Sequence, residues 1–394
     1  MKLPIFDMLS KRRTLTLLPA IILALVGWLW LRNDSEQSHR RVAESIETVE
    51  EKELSQPSFE SGVKDANATT TVDQIVTQLT GSLELLKRTH GAAQGQEIIS
   101  KMFEALEEYS VGDASRAIVQ VLNTREDALA FGRFAPGPDG FLNAYPSFRT
   151  ALLDQLEKLD PVAALKMGKS ILTESENADE WAVSLRMVSR NARSTEDLEF
   201  LRGKVQELLH KEAWLNDPTF SFLHAFDAAV DDGRGVTIQR LGELLDSMDD
   251  HAVAHAATVS LDRLFQNQTL AGVEYVTSHP EFLNEAKGFR ASLVARIDPS
   301  NTQEVVLAES YLEDSSFSSE EKRTFFQLFP NFNSTFSYNL IHESQIPSRA
   351  EMREASVAAV GQLSLWVNEN RYPEHQDDIN QAIDRLAKAW KLEL

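Results

Sequence analysis

From Val72 onward, apolar residues recur every three or four positions almost without a break. In "VDQIVTQLTGSLELLKRTH" the stripe is Val72, Ile75, Val76, Leu79, Leu83 and Leu86. In "SRAEMREASVAAVGQLSLWV" it is Met352, Ala355, Ala359, Leu363 and Trp366. The final stretch, "DDINQAIDRLAKAWKLEL", repeats the pattern with Ile379, Ile383, Leu386, Trp390 and Leu394. This is the period of an α-helix with one face buried, and strict alternation of β-branched residues is scarce. Breaks fall at Asp160-Pro161, Asp217-Pro218, His279-Pro280, Asp298-Pro299 and Tyr372-Pro373, because proline disfavours helical backbone at the residue before it. About fifteen to seventeen helices of roughly ten to twenty residues are expected, in an all-α domain over 72–394.

The N-terminal pattern is different. Residues 14–31, "TLTLLPAIILALVGWLWL", hold no ionisable side chain and lie between Arg13 and Arg32. Eighteen residues of helix span about 27 Å, close to a bilayer's hydrocarbon thickness. A soluble helix of that length would carry a polar stripe. The run ends in Gly27-Trp28-Leu29-Trp30-Leu31-Arg32 and offers no small-residue cleavage site. The reading is therefore an uncleaved signal anchor, with a cleaved signal peptide as the alternative. Lys2, Lys11, Arg12 and Arg13 precede the span; Arg32, Arg40 and Arg41 follow it. That asymmetry predicts a cytoplasmic tail at 1–13 and a C-terminal domain outside the cytoplasm, periplasmic in a bacterium. The opposite topology would make the domain a cytoplasmic adaptor. Residues 32–71 are Ser-, Glu- and Thr-rich with few large apolar side chains, and read as a flexible polar tether.

Charge narrows the partners. Residues 1–41 carry seven Lys/Arg and three Asp/Glu, so of the chain's net −21 the remainder holds −25. Such a body repels phosphate backbones, and no nucleic-acid partner is expected. There is no cysteine, which removes disulfides, thiolate metal sites and cysteine nucleophiles.

A weak internal repeat is visible. Shifted by 140 residues, 169–195 overlays 309–335, with Ser170, Leu172, Ser175, Glu180, Asn191, Ser194 and Thr195 recurring as Ser310, Leu312, Ser315, Glu320, Asn331, Ser334 and Thr335. Phe148-Arg149 recurs as Phe289-Arg290. This points to a duplicated unit, at about 147–200 and 288–340, and to an α-solenoid-like stack. The organisation is similar to divergent helical-repeat proteins, a resemblance that implies architecture and no particular activity.

Candidate chemistry is sparse. His251 and His255 lie four apart and Asp262 seven further, all on one helical face opposite Val253, Ala257, Leu261 and Leu264; this is the metal candidate, set against a solvated polar face. The loop "FGRFAPGPDGFLNAYPSF" offers Phe134, Asp139, Phe141 and Tyr145 for a partner, or pins a connection to the core. "FFQLFPNFNSTFSY" offers Phe332 and Phe336 in the same two senses. No phosphate loop, nucleophile elbow or dinucleotide fingerprint occurs, and no cofactor is expected. The expected function is a membrane-tethered helical scaffold or adaptor binding a protein or peptide. The competing expectation is an all-α hydrolase or lyase of cell-envelope polymers, for which paired carboxylates could sit anywhere in so acidic a chain.

Overall fold

Why helices form here is written in their caps. Asp160 accepts from the amides of Val162 and Ala163, Asn177 from those of Asp179 and Glu180, and Ser194 and Ser348 each close a reciprocal capping box with Asp197 and Glu351. A computed structural model describes residues 66–247, 251–334, 337–342 and 346–392, all within one unit that begins at Asp65. Among them there is no strand, only isolated bridges Leu129–Ser147 and Pro136–Leu142, and the fold is all-α.

The described residues form seventeen α-helices. They are α1 (Ala66–Lys87), α2 (Ala92–Leu106), α3 (Val111–Leu122), α4 (Phe148–Leu159), α5 (Pro161–Glu174), α6 (Ala178–Asn191), α7 (Thr195–Leu209), α8 (Glu212–Asn216) and α9 (Phe220–Ala225). After a 3-10 turn at Phe226–Ala229 come α10 (Gly235–Ser247), α11 (His251–Asn267), α12 (Thr269–Ser278), α13 (Lys287–Val294), α14 (Thr302–Glu313), α15 (Ser319–Leu328), α16 (Arg349–Asn368) and α17 (Gln376–Trp390). Helix α1 begins six residues before the expected end of the tether. Once the stripe from Val72 sets the helix, each further residue adds one hydrogen bond at little extra cost, so it extends back through Ala66–Thr71. The rest of the tether and the apolar run 14–31 lie outside the described residues, among which no helix is long and apolar enough to cross a membrane.

The stripes read from the sequence are the core. Ile75, Leu79, Leu83 and Leu86 are at most 2 % exposed, as are Ala359, Leu363, Trp366 and Ile379. Each large side chain so buried contributes about 1.5–3 kcal/mol. Helices pack on their sequence neighbours and on the next but one: α1 on α3, α4 on α6, α10 on α12, α11 on α13, α12 on α14 and α13 on α15.

Two trios of helices are built alike. In α4–α5–α6, Arg149 Nε donates to Glu180 at 2.5 Å; in α13–α14–α15, Arg290 Nε donates to Glu321 at 2.7 Å. The N-caps Asp160 and Asn177 correspond to Asn301 and Ser318. All four correspondences share an offset of 141, one more than the best overlay of the sequence, so Glu180 answers to Glu321 and not to Glu320. The buried ion pairs set this register, whereas the identities at 140 are mostly exposed serines and helix-end residues.

Candidate functional site

Two long stretches escape the helical pattern, residues 123–147 and the described residues between α15 and α16, and they meet. Arg186 and Arg190 on α6 hold the first: Arg186 Nη1 donates to Gly140 O at 2.5 Å and Arg190 Nη2 to Asp139 O at 2.7 Å. Gly140 has φ +77 and sits against the Leu340 carbonyl, so here only glycine fits comfortably. The second stretch crosses the molecule at Ser337–His342, and Leu340 at its middle is fully buried.

That crossing segment is held by charged side chains. Arg263 on α11 donates to the carbonyls of Ser337 and Tyr338 and to the Asn339 side chain. Asp227, in the 3-10 turn, accepts the amides of Ile341 at 2.7 Å and His342 at 2.9 Å through Oδ2, while its Oδ1 pairs with Arg263 at 3.0 Å. Arg190 points toward the carbonyls of Leu340 and Ile341, each at 3.4 Å. Tyr338, at φ 55, lies edge-on to His224 and tilted over His255.

His342 is clamped by two carboxylates, Asp227 at 3.2 Å from Nδ1 and Asp231 at 3.0 Å from Nε2. Burial works against its charge, but hydrogen bonds to both carboxylates and their negative charge outweigh it and hold the imidazole up at about 9. Burial pushes Asp227 the other way and is likewise overcome by His342 and Arg263, leaving it below the usual carboxylate range. His224, flanked by Phe134 and Tyr338, is driven down to about 4 by burial, so it is neutral beside a charged neighbour.

Beside this crossing lies an open groove of about 880 Å³, bounded by the end of α11, the turn after α13 and the start of α16. Ile297, Pro330, Phe332, Ile346 and Pro347 make up part of its lining. Asp298, Glu351 and Glu354 are exposed along it, and the arginine it contains, Arg296, is paired with Asp262. The lining therefore mixes apolar, neutral polar and acidic side chains.

The residues singled out from the sequence fall out as follows. His251 and His255 are exposed on α11. Asp262 does not join them at the surface: its carboxylate is buried and accepts from Arg296 Nε at 3.0 Å and from Gln266 at 3.2 Å. Seven residues bring Asp262 back to the histidines' azimuth, but the chain after α13 covers that end of the helix. Among the described residues no group of three or more His, Asp or Glu side chains is arranged to hold a metal ion. Phe134 and Tyr145 are buried, the Tyr145 hydroxyl donating to Asp154 at 3.1 Å, and they pin the loop to the core. Asp139 is exposed, with its Oδ1 accepting from the Phe141 amide. Phe141 is half-buried under Arg186, Arg190 and Lys158. Phe332 lines the groove, and Phe336 lies outside the described residues.

Sequence reasoning missed Asp227, Arg263 and His342. A signal existed for the first two: each is an ionisable residue inside an apolar run, "FLHAFDAAV" and "VSLDRLF". A charge on the buried side of a helix needs a partner.

Gly140 gives a direct check on the crossing. Gly140→Ala would drive a methyl into the Leu340 carbonyl and the Arg190 guanidinium and hold alanine at a positive φ. The expected loss is about 1–3 kcal/mol, with faster amide exchange at Ile341 and His342. Unchanged exchange at those two amides would show that the loop and the crossing segment are not coupled.

Compared with known proteins, the chain matches no family model, no curated protein and no solved structure.

Proposed function

We propose that this is a membrane-tethered, extracytoplasmic helical scaffold that binds a protein or peptide partner. The anchor is the run 14–31, the tether leads from it to the domain, and the domain is an α-solenoid-like stack in which 147–200 and 288–340 are copies of one unit. Packing of many helices on their next-but-one neighbours, and the matched trios around Arg149–Glu180 and Arg290–Glu321, support the stack and the duplication. The observation that carries the binding role is the groove at the start of α16, whose lining combines apolar side chains with three carboxylates. A cationic segment with apolar side chains suits it: Ile297, Pro330, Phe332, Ile346 and Pro347 offer contact to the apolar groups, and Asp298, Glu351 and Glu354 draw the charge.

The test places a photo-crosslinking residue at Ile346 or Phe332 in the full chain, in membranes of the cells that make it. The expected result is one discrete adduct, weakened by added salt and abolished by Glu354→Lys, on a chain that only detergent extracts from the membrane. A crosslinker at Val162, 80 % exposed and away from the groove, is the control. The same adducts from Val162 as from Ile346 would remove the groove from consideration, and extraction by salt alone would remove the anchor.

A further inference from the structure

The connection between α15 and α16 is longer than its task requires. Phe329, just past the end of α15, has its ring 6.3 Å from Trp366, which lies seventeen residues into α16. The chain must therefore travel about 26 Å to reach Arg349, a span that roughly eight extended residues would cover. Twenty are used, 329–348. The surplus carries Ser337–His342 to Arg263 and Arg190, 74 to 151 residues earlier in the chain.

What awaits the segment there is unusual for a packed connection. A buried connection must pair its backbone amides and carbonyls, most often with other backbone or with neutral polar side chains. Here Asp227 is 1 % and Arg263 4 % exposed, and both turn their hydrogen-bonding groups to backbone of the crossing segment. A buried carboxylate and guanidinium are tolerated only where such partners are supplied. Specificity comes from two side chains: Leu340, enclosed fully, and His342, two residues on, between Asp227 and Asp231. Arg263, His224 and Arg190 are the other ionisable groups around this clamp. Tyr338 adopts a left-handed φ of 55 to make the fit, a conformation that a non-glycine residue holds only under constraint.

We infer that Arg190, Asp227 and Arg263 form a peptide-recognition site that residues 337–342 occupy in cis, and that the site accepts in trans a peptide with an aliphatic residue two positions before a cation. This goes beyond the partner-binding reading above, because the site is distinct from the groove at α16. The chain's own segment competes with the partner for the site, so a partner must either outmatch Leu340 and His342 or arrive when they are displaced.

The test uses the full chain and a fluorescein-labelled peptide of its own sequence, Ser-Tyr-Asn-Leu-Ile-His. Leu340→Ser with His342→Ala weakens the internal occupant while leaving the walls intact. The double variant should bind the labelled peptide at least about tenfold more tightly than the parent chain. Adding Asp227→Asn should abolish that binding, and a peptide carrying serine for leucine and alanine for histidine should not compete. Should the double variant fail to fold by far-ultraviolet circular dichroism, His342→Ala alone, which weakens the occupant and leaves Asp227 and Asp231 in place, replaces it with the same ordering expected. A folded variant that binds no better than the parent, or binding indifferent to Asp227→Asn, overturns the inference. That outcome together with a groove-specific adduct at Ile346 would leave the scaffold reading standing. Loss of the adduct with peptide binding intact would do the reverse.

Discussion

Arg186→Ala will destabilise the fold by about 3–5 kcal/mol, the cost of leaving a buried charge without its partner. Arg186 is fully buried; it meets Asp154 at 2.8 Å through Nη2, Glu157 at 2.9 Å through Nε and the Gly140 carbonyl at 2.5 Å through Nη1. Its removal strands two carboxylates in the interior. Asp154 keeps Lys158, at 3.0 Å, the Tyr145 hydroxyl and the Leu142 amide. Glu157 loses its only cation within ion-pair distance among the described residues; burial already raises its carboxyl against the pull of Arg186. The melting temperature should fall by about 10 °C, and urea unfolding should show a lower midpoint at unchanged slope. The triple variant Arg186→Leu, Asp154→Asn, Glu157→Leu should recover most of the loss. The penalty belongs to unpaired charge, and the side-chain amide that replaces the Asp154 carboxylate can still accept from the Leu142 amide. A single variant that loses less than about 1 kcal/mol would mean that water reaches the triad.

The second large effect is on pH. His342 sits at about 9 when folded against 6.5 for a free imidazole, so its clamp contributes about 3 kcal/mol. Because the folded value is raised, that contribution is complete below pH 6.5 and is lost as pH climbs through 9. His224 works in the opposite sense. Its folded value of about 4 is depressed, so its contribution is present above pH 6.5 and disappears as pH falls toward 4. Asp227, held low by His342 and Arg263 against burial, adds to that acid limb. Stability should therefore peak near pH 6.5, with urea midpoints falling on both sides between pH 4.5 and 9.5. His342→Gln should flatten the alkaline limb alone, and His224→Phe should soften the acid limb alone. An alkaline limb of the same steepness in His342→Gln would locate the titrating group elsewhere.

Both effects arise where sequence reading was weakest. The helices themselves were legible because what makes them is local. Apolar residues at spacings of three and four share a face whatever lies beyond, and Asp160, Asn177, Ser194 and Ser348 cap helices with amides at most three residues on. The aromatic loop also read correctly as to place, since Pro and Gly break helices locally. Its role did not. Whether Tyr145 faces a ligand or Asp154 depends on α4 lying beneath it, and no pattern within the loop carries that information.

His251, His255 and Asp262 show the same boundary. Their common azimuth on α11 follows from 3.6 residues per turn and holds. Their separation into two exposed rings and one buried carboxylate depends on Arg296, thirty-four residues later, reaching Asp262.

The sequence by itself determined the all-α class, the helix faces, most helix ends and the acidity that disfavours nucleic acid. These follow from interactions that reach at most a turn or two along the chain. The tertiary structure alone decided which buried ion pairs match between the paired trios, the convergence of Gly140, Asp227, Arg263 and His342, and the gathering of Asp298, Glu351 and Glu354 at one groove. Those depend on which buried charges find partners across tens to hundreds of residues, and a Coulomb pair leaves no periodic trace in the sequence of either partner.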